Sequence, residues 1–213
     1  MSAIEKLYSA VVEGNASTAK KITEEALEQN INPQEIINTA LIPAMDEVGR
    51  LFECDEYYVP ELLISARAMK QSLELINPLL SAQGSKPMGH VVIGTVQGDL
   101  HDIGKNLVAS MLEGAGFSVT DLGVDVPPEK FTASINNDGL TIIAISALLT
   151  TTIPAMKHTI TAIEQAGKRD RARIMVGGAP VTEKFAKEIG ADGYSENASG
   201  AVTVARNFIK EKA

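Results

Sequence analysis

Through residues 1 to about 80, apolar positions recur at helical spacing. Ile4, Leu7, Tyr8, Val11 and Val12 share one face, and Gly14 stands where such a helix would end. Ala19, Ile22, Ala26 and Leu27 mark a second amphipathic stretch. A third opens at Asn32-Pro33-Gln34-Glu35, where Asn can cap, Pro suits the first turn and Glu completes a capping-box-like pattern. Pro43 predicts a kink or break in that helix. A fourth opens near Pro60 and aligns Leu62, Leu63, Ala66, Met69, Leu73 and Ile76. Four helices with short connections predict an antiparallel bundle.

After a polar stretch, Ser81 to Pro87, that reads as a linker, the period changes. Short apolar runs now alternate with helical ones. Strands are expected at His90–Val96, Phe117–Val124, Leu140–Leu148, Arg173–Val176 and near Gly193-Tyr194. The helices between and after them are expected at about Gly104–Glu113, Pro128–Asn136, Pro154–Gln165, Thr182–Glu188 and Ser199–Lys210. Such β-α units in series predict a parallel sheet with helices on both faces, and a ligand site beyond the carboxyl ends of the strands.

Composition adds exclusions. A formal charge of −8 argues against a nucleic-acid partner or an anionic membrane surface. One cysteine, Cys54, excludes an intrachain disulfide and a Cys-based zinc cluster, and we read it as incidental. Met1 to Lys6 lacks the apolar run of a signal peptide, and Leu140–Leu149 is too short to span a bilayer as a helix, so a cytoplasmic location is expected.

The loop after the first strand, Gln97 to Asn106, holds the candidate chemistry. Gly104-Lys105-Asn106 lacks the hydroxyl and the upstream glycine of a phosphate-binding loop, and Gly98 and Gly104 do not have dinucleotide-fingerprint spacing. Two readings of His101 stay open: a loop histidine satisfied by nearby backbone, or a metal ligand whose second ring nitrogen is oriented by Asp99. With no second His or Cys in the strand-end loops, a protein-caged zinc or iron is not expected, so a lone ligand requires a cofactor that completes the coordination sphere.

Asp99-x-His101-x-x-Gly104, a serine-led loop after the third strand and Gly-Gly after the fourth together resemble the cobalamin-binding domain of methionine synthase. They also resemble the small corrinoid proteins of methanol, methylamine and O-demethylase methyltransferase systems. The resemblance runs through Gly98 to Asn106, Ser146 to Thr150, Gly177-Gly178-Ala179 and Glu196 to Ser199. In the helical half it covers Met45 to Phe52 and Val59 to Arg67.

It implies an N-terminal four-helix bundle cap, residues 1–86, and a flavodoxin-like (Rossmann-type) five-stranded parallel sheet domain, residues 87–213, that binds cobalamin or a related corrinoid. His101 would be the cobalt ligand in place of the nucleotide base, with the tail in a slot beside the sheet. The cofactor-binding residues carried over are Gly98, Asp99, Leu100, His101, Asp102, Ile103 and Gly104, then Ser146, Leu148, Thr150, Gly177, Gly178 and Ala198. Bare backbone at Gly177 and Gly178 would admit the tail, Ser146 and Thr150 would hydrogen-bond the corrin or tail, and Ala198 would keep the last loop thin. Thr152 occupies the place where the family extends the Asp–His pair with a hydroxyl. Phe52, Val59 and Leu62 match the positions that cover the upper face of the corrin, although helical spacing also explains them as core.

The implied function is a methyl carrier rather than a complete enzyme, and no catalytic residue is assigned. It would take a methyl group on cob(I)alamin from a substrate-specific methyltransferase and pass it, as methylcobalamin, to a second methyltransferase acting on tetrahydrofolate or coenzyme M. A reductive activase would be a further partner, and the 81–87 linker would be the hinge that lets the cap move aside. Protonation of the Asp99–His101 pair is expected to favour ligand release, and deprotonation the ligated methyl form. The length leaves no room for either methyltransferase domain. A cobalamin-dependent sensor or regulatory module is the alternative; a radical mutase subunit would not explain the helical half.

Overall fold

The computed structural model describes residues 2–82, 87–135 and 139–211. The chain divides into two compact units, Met1–Pro87 with Glu113–Gly116, and Met88–Leu112 with Phe117–Ala213.

In the first unit each helix starts on a side-chain cap or a proline. At α1 (Ala3–Val12), the Ser2 hydroxyl accepts the Glu5 N–H at 3.2 Å while the Glu5 carboxylate accepts the Ser2 N–H at 2.7 Å. This is a full capping box. Asn15 caps α2 (Ala16–Glu28) by accepting the Thr18 N–H at 3.1 Å. Asn32 caps α3 (Pro33–Ile36) by accepting the Gln34 N–H at 2.8 Å. Pro43 does not break the helix that follows. A π-helical turn, Ile37–Leu41, joins α3 to α4 (Ile42–Glu53). Widening the turn just before Pro43 shifts the carbonyl ladder by one residue, so the ring escapes the clash that an α-helical carbonyl would impose. The last helix is α5 (Val59–Ala82), which carries Pro78 in its interior.

Helix α2 packs on α1 and α5, and α4 packs on α1 and α5. Leu7, Val11, Leu41, Met45, Val48, Met69 and Ile76 are buried, as their helical spacing predicts. Removing each such side chain from water contributes roughly 1.5–3 kcal/mol. Inside the unit, the Thr23 hydroxyl lies 2.8 Å from the Ala19 carbonyl and 3.0 Å from the Ser72 hydroxyl, so both polar groups are satisfied without water.

The second unit runs β1 (His90–Thr95), α6 (Ile103–Gly114), β2 (Ser118–Asp121), α7 (Pro128–Ala133), β3 (Thr141–Ser146) and α8 (Pro154–Gln165). A 3₁₀ turn at Arg169–Arg171 leads to β4 (Ala172–Gly177), α9 (Glu183–Glu188), β5 (Gly193–Ser195) and α10 (Ala198–Lys210). The five strands pair in parallel in the order β2-β1-β3-β4-β5. On one face Val92, Ile143, Ile145, Ile174 and Val176 form a core with Phe131 of α7, Met156, Ile160 and Ile163 of α8, and Ala186 of α9. The alternate positions Val91, Ile93, Ile142, Ala144 and Met175 are buried as well. Both faces are thus covered, which is why these strands read as unbroken apolar runs.

Several boundaries differ from the sequence reading, each for a local reason. Strand β2 stops at Asp121 because its carboxylate accepts the Gly123 N–H at 2.8 Å and turns the chain. Thr182 lies outside α9 as its cap, accepting the Phe185 N–H at 3.2 Å. The expected helix end at Asn136, and residues 83–86 of the expected linker, lie outside the described residues.

Order 2-1-3-4-5 reverses the direction of chain growth between β1 and β3. The loops leaving those two strands part at that point and leave a crevice, where a ligand can sit on such a sheet. The loop with His101 leaves β1 and the Ser146–Thr150 loop leaves β3, so the two flank the switch point.

Candidate functional site

Asp99 joins the two loops. It is fully buried, and each of its oxygens accepts hydrogen bonds from one of them. From its own loop, the His101 N–H and the His101 Nδ1–H reach Oδ1 at 3.1 and 2.7 Å. From the loop after β3, the Thr152 hydroxyl and the N–H groups of Leu148 and Leu149 reach Oδ2 at 2.7, 2.8 and 3.3 Å. These bonds also mark where the chain leaves the sheet: the Ala147 N–H still donates to the Gly177 carbonyl of β4 at 3.3 Å, whereas the next two N–H groups turn to the Asp99 carboxylate. Burial disfavours the charged form, but the bonds from Thr152, Leu148 and His101 outweigh it and hold the Asp99 carboxyl well below the usual carboxylate range.

An ionised Asp99 can only accept, so the proton of a neutral His101 ring is on Nδ1 and the lone pair is on Nε2. The His101 side chain is 49% exposed, and no hydrogen bond among the described residues engages Nε2. In the same two loops and at the start of α6, Leu100 and Ile103 are 71% and 73% exposed, and Leu148 and Leu149 both 42% exposed. Among the described residues, no three His, Cys, Asp or Glu side chains gather where they could hold an ion. A presented imidazole set among bare apolar side chains fits a flat, largely apolar macrocycle that brings its own metal ligands.

The other predicted positions fall as follows. Gly98, Asp102 and Gly104 lie with His101 in or just after the first loop, Asp102 and Gly104 at the start of α6. Ser146 closes β3, and Thr150 lies in the loop that follows it. Gly178 has φ +132°, and a Cβ there would lie 1.9 Å from the Ala147 carbonyl oxygen. The close approach that this glycine permits is therefore first of all that of the chain's own β3 loop. A Cβ on Gly177 would lie 3.0 Å from the Ser195 carbonyl oxygen. Ala198 is buried at the start of α10, where Asn197 caps by accepting the Gly200 N–H at 2.8 Å. Lys105 is not free to meet a phosphate: its buried Nζ is 2.5 Å from Asp121 and 2.6 Å from Asn106.

In the helical unit, Val59 is 43% exposed and Phe52 half-buried, but Leu62 is fully buried, as a core residue would be. The exposed apolar side chains beside it are Tyr58, Leu63 and Ile64, of which only Leu63 was picked out in the sequence, and as core. Their signal lay in adjacency: three apolar residues in a row, Leu62-Leu63-Ile64, with Val59 one turn before, cannot all face one core.

The Asp99 geometry yields a stability prediction. In an Asp99→Asn variant an NH2 group must face donors, which is expected to cost the apo-protein about 2 kcal/mol at pH 7. The folded carboxyl titrates lower than the unfolded one, so the stability it adds is fully present above roughly pH 4 and is lost as pH falls further. Urea unfolding should show the gap between wild type and variant closing below that pH; a gap independent of pH would refute the ionised bridge.

Comparison with known proteins agrees with this geometry. Residues 89–203 match a family described as B12 binding domain, and residues 3–77 match a second family with the same description. The chain is 41% identical over 212 residues to dimethylamine corrinoid protein 3 of Methanosarcina acetivorans, covering 98% of this chain and 100% of that one. It is 42% identical over 208 residues to trimethylamine corrinoid protein 1 of the same organism, covering 97% and 96%. Among solved structures, a cobalamin-binding protein from Desulfitobacterium hafniense aligns with a TM-score of 0.79 at 28% identity, covering 96% and 98%. The methanol:cobalamin methyltransferase complex from Methanosarcina barkeri aligns at 0.81, also 28% identical, covering 98% and 80%.

Proposed function

This chain belongs to the B12-binding corrinoid proteins, and from that premise we propose that it is a methyl carrier in which His101 is the lower ligand to cobalt. The observation that supports this reading is the His101 ring itself, presented at the switch point with Nδ1–H held by Asp99 and Nε2 left open. When bound, the corrinoid supplies a cobalt centre that takes up a methyl group from one molecule and yields it to another.

The protein's part is to hold and orient. Asp99 keeps the proton on Nδ1 and makes the imidazole a better donor through Nε2. Thr152 and the Leu148 and Leu149 N–H groups keep Asp99 ionised and in place, so the earlier expectation of a protonated pair narrows to a proton that Asp99 itself does not take near neutrality. Leu100, Ile103, Leu148 and Leu149 would lie against the macrocycle, with Gly98, Asp102 and Gly104 beside it. Ser146, Thr150, Gly177, Gly178 and Ala198 would border the nucleotide tail. Phe52, Val59 and Leu62 would be the helical unit's own contribution to holding the cofactor.

No helix among the described residues is long and apolar enough to cross a membrane. The setting we propose is the cytoplasm, where the exposed thiol of Cys54 would stay reduced. The carrier would meet a methyltransferase specific for a small methyl donor, and the names of its relatives favour methylated amines. A second methyltransferase would take the methyl group to tetrahydrofolate or coenzyme M, and a reductive activase would restore the carrier.

The test is to load the apo-protein with hydroxocobalamin, reduce it to the cobalt(II) state and record its EPR spectrum with ordinary and with 15N-labelled histidine. Hyperfine splitting that changes with the label is expected. Splitting indifferent to it would overturn the ligand assignment, and failure to accept methyl from dimethylamine, trimethylamine or methanol with the matching methyltransferases would overturn the carrier.

A further inference from the structure

Asp125 lies in the loop between β2 and α7, outside every segment that carried the resemblance, and it grips the His101 loop twice. Its N–H donates to the Asp99 carbonyl at 2.9 Å, and its Oδ1 accepts the Gly98 N–H at 2.7 Å. It does so with φ +51°, in the left-handed region that L-residues other than Asn and Asp seldom occupy. A non-glycine residue kept there beside a ligand-bearing loop points to a constraint that the surroundings maintain. On either side the same loop is laced to β1: the Thr95 N–H donates to the Gly123 carbonyl at 3.0 Å, and the Val126 N–H to the Thr95 carbonyl at 2.9 Å.

The consequence for the His101 loop follows peptide by peptide. Asp125 Oδ1 anchors the 97–98 peptide through its N–H. The Val96 carbonyl anchors the 98–99 peptide, accepting the Asp99 N–H at 3.1 Å. The Asp125 N–H anchors the 99–100 peptide through its carbonyl. With three consecutive peptide planes held, the direction of the Asp99 side chain is set before it meets His101. The buried Thr95 hydroxyl then holds the His101 carbonyl at 2.8 Å. Of the anchors on the three peptides 97–98, 98–99 and 99–100, the one on the Gly98 N–H is made by a side chain and the other two by backbone, and Gly98 itself has φ +85°.

We propose that Asp125 is a positioning residue for the corrinoid ligand: by accepting the Gly98 N–H it fixes the turn that aims the Asp99–His101 pair. This rests on the reading of His101 as the cobalt ligand, and the test separates the two.

Asp125→Asn keeps both the acceptor and a side chain tolerant of positive φ, whereas Asp125→Gly keeps the backbone freedom and removes the acceptor. Because Asp125 is exposed and glycine accepts its φ, the second variant is expected to fold, which the apo melting temperature checks. Three readouts apply: amide hydrogen exchange at Gly98 in the apo-protein, hydroxocobalamin affinity, and histidine-nitrogen splitting in the EPR spectrum of the loaded protein. Asp125→Asn is expected to match wild type in all three. Asp125→Gly is expected to speed exchange at Gly98 and weaken cobalamin binding, each by roughly tenfold, and to lower the histidine-ligated fraction, with the apo melting temperature little changed. Unaltered exchange and ligation in Asp125→Gly, or a loss in Asp125→Asn equal to that in Asp125→Gly, would overturn the proposal. Absence of histidine splitting in the wild type would instead remove its premise, whatever the variants do.

Discussion

Replacing His101 with alanine is expected to weaken corrinoid binding by at least about a hundredfold and to erase the label-sensitive nitrogen splitting, while leaving the apo-protein folded. The reasoning starts from exposure. A side chain 49% open to solvent adds little to the core, and Asp99 retains the Thr152 hydroxyl and three backbone N–H groups after the ring is gone. What disappears is the one imidazole presented at the switch point. Loss of an orienting partner behind a metal ligand already costs 10- to 100-fold, so loss of the ligand lies at or beyond the upper end. Free imidazole added to His101→Gly should restore part of the ligated spectrum. Binding of His101→Ala within a few-fold of wild type would mean that the corrinoid is held elsewhere.

The second large effect is expected at Gly178. In Gly178→Ala the Cβ would stand 1.9 Å from a backbone oxygen that cannot swing aside as a side chain could, at φ +132° where L-residues are strained. We expect the apo-protein to lose at least about 3 kcal/mol in urea unfolding. Gly104 provides the contrast. It lies in α6, nothing comes within 4 Å of a Cβ built on it, and alanine there is expected to stabilise the apo-protein by roughly 0.5 kcal/mol. If Gly104 adjoins the corrinoid, the same alanine weakens cobalamin binding. A stability loss at Gly104, or none at Gly178, would contradict the packing described.

These cases show what could be read from the chain itself. The alternation of period, the strand-end loops and the Asp99–His101 pair were legible because each is local: two residues separate the pair, and apolar spacing repeats within a turn or a strand. Thr152 is 53 residues from Asp99, so no local spacing links the two, and only the resemblance points to it. Asp125 had no signal at all, since an acidic residue before Val126-Pro127 reads as an ordinary solvated turn, and its role depends on β2 lying beside β1. For Gly178 the resemblance implies room for the cofactor tail, whereas the neighbour that the fold itself places against it is Ala147, through a contact between two strand ends that no local pattern shows. Leu62 is buried as its helical spacing predicts, but Leu63, placed on the same face, is 44% exposed, because two consecutive positions of a helix point about 100° apart. At Pro43 the sequence predicts a kink or a break, and the structure has a π-helical turn just before it that absorbs the conflict without ending the helix.

The carboxylate of Asp99 has a consequence for protein engineering. Both of its oxygens are satisfied by residues from two short stretches, 96–101 and 148–152, that emerge from adjacent strands of a common sheet type. The pair of stretches, with Asp125 as its brace, constitutes a portable cassette. Grafted between the first and third strands of another sheet of the same order, it should present an imidazole of defined tautomer to whatever planar metal complex the host can admit.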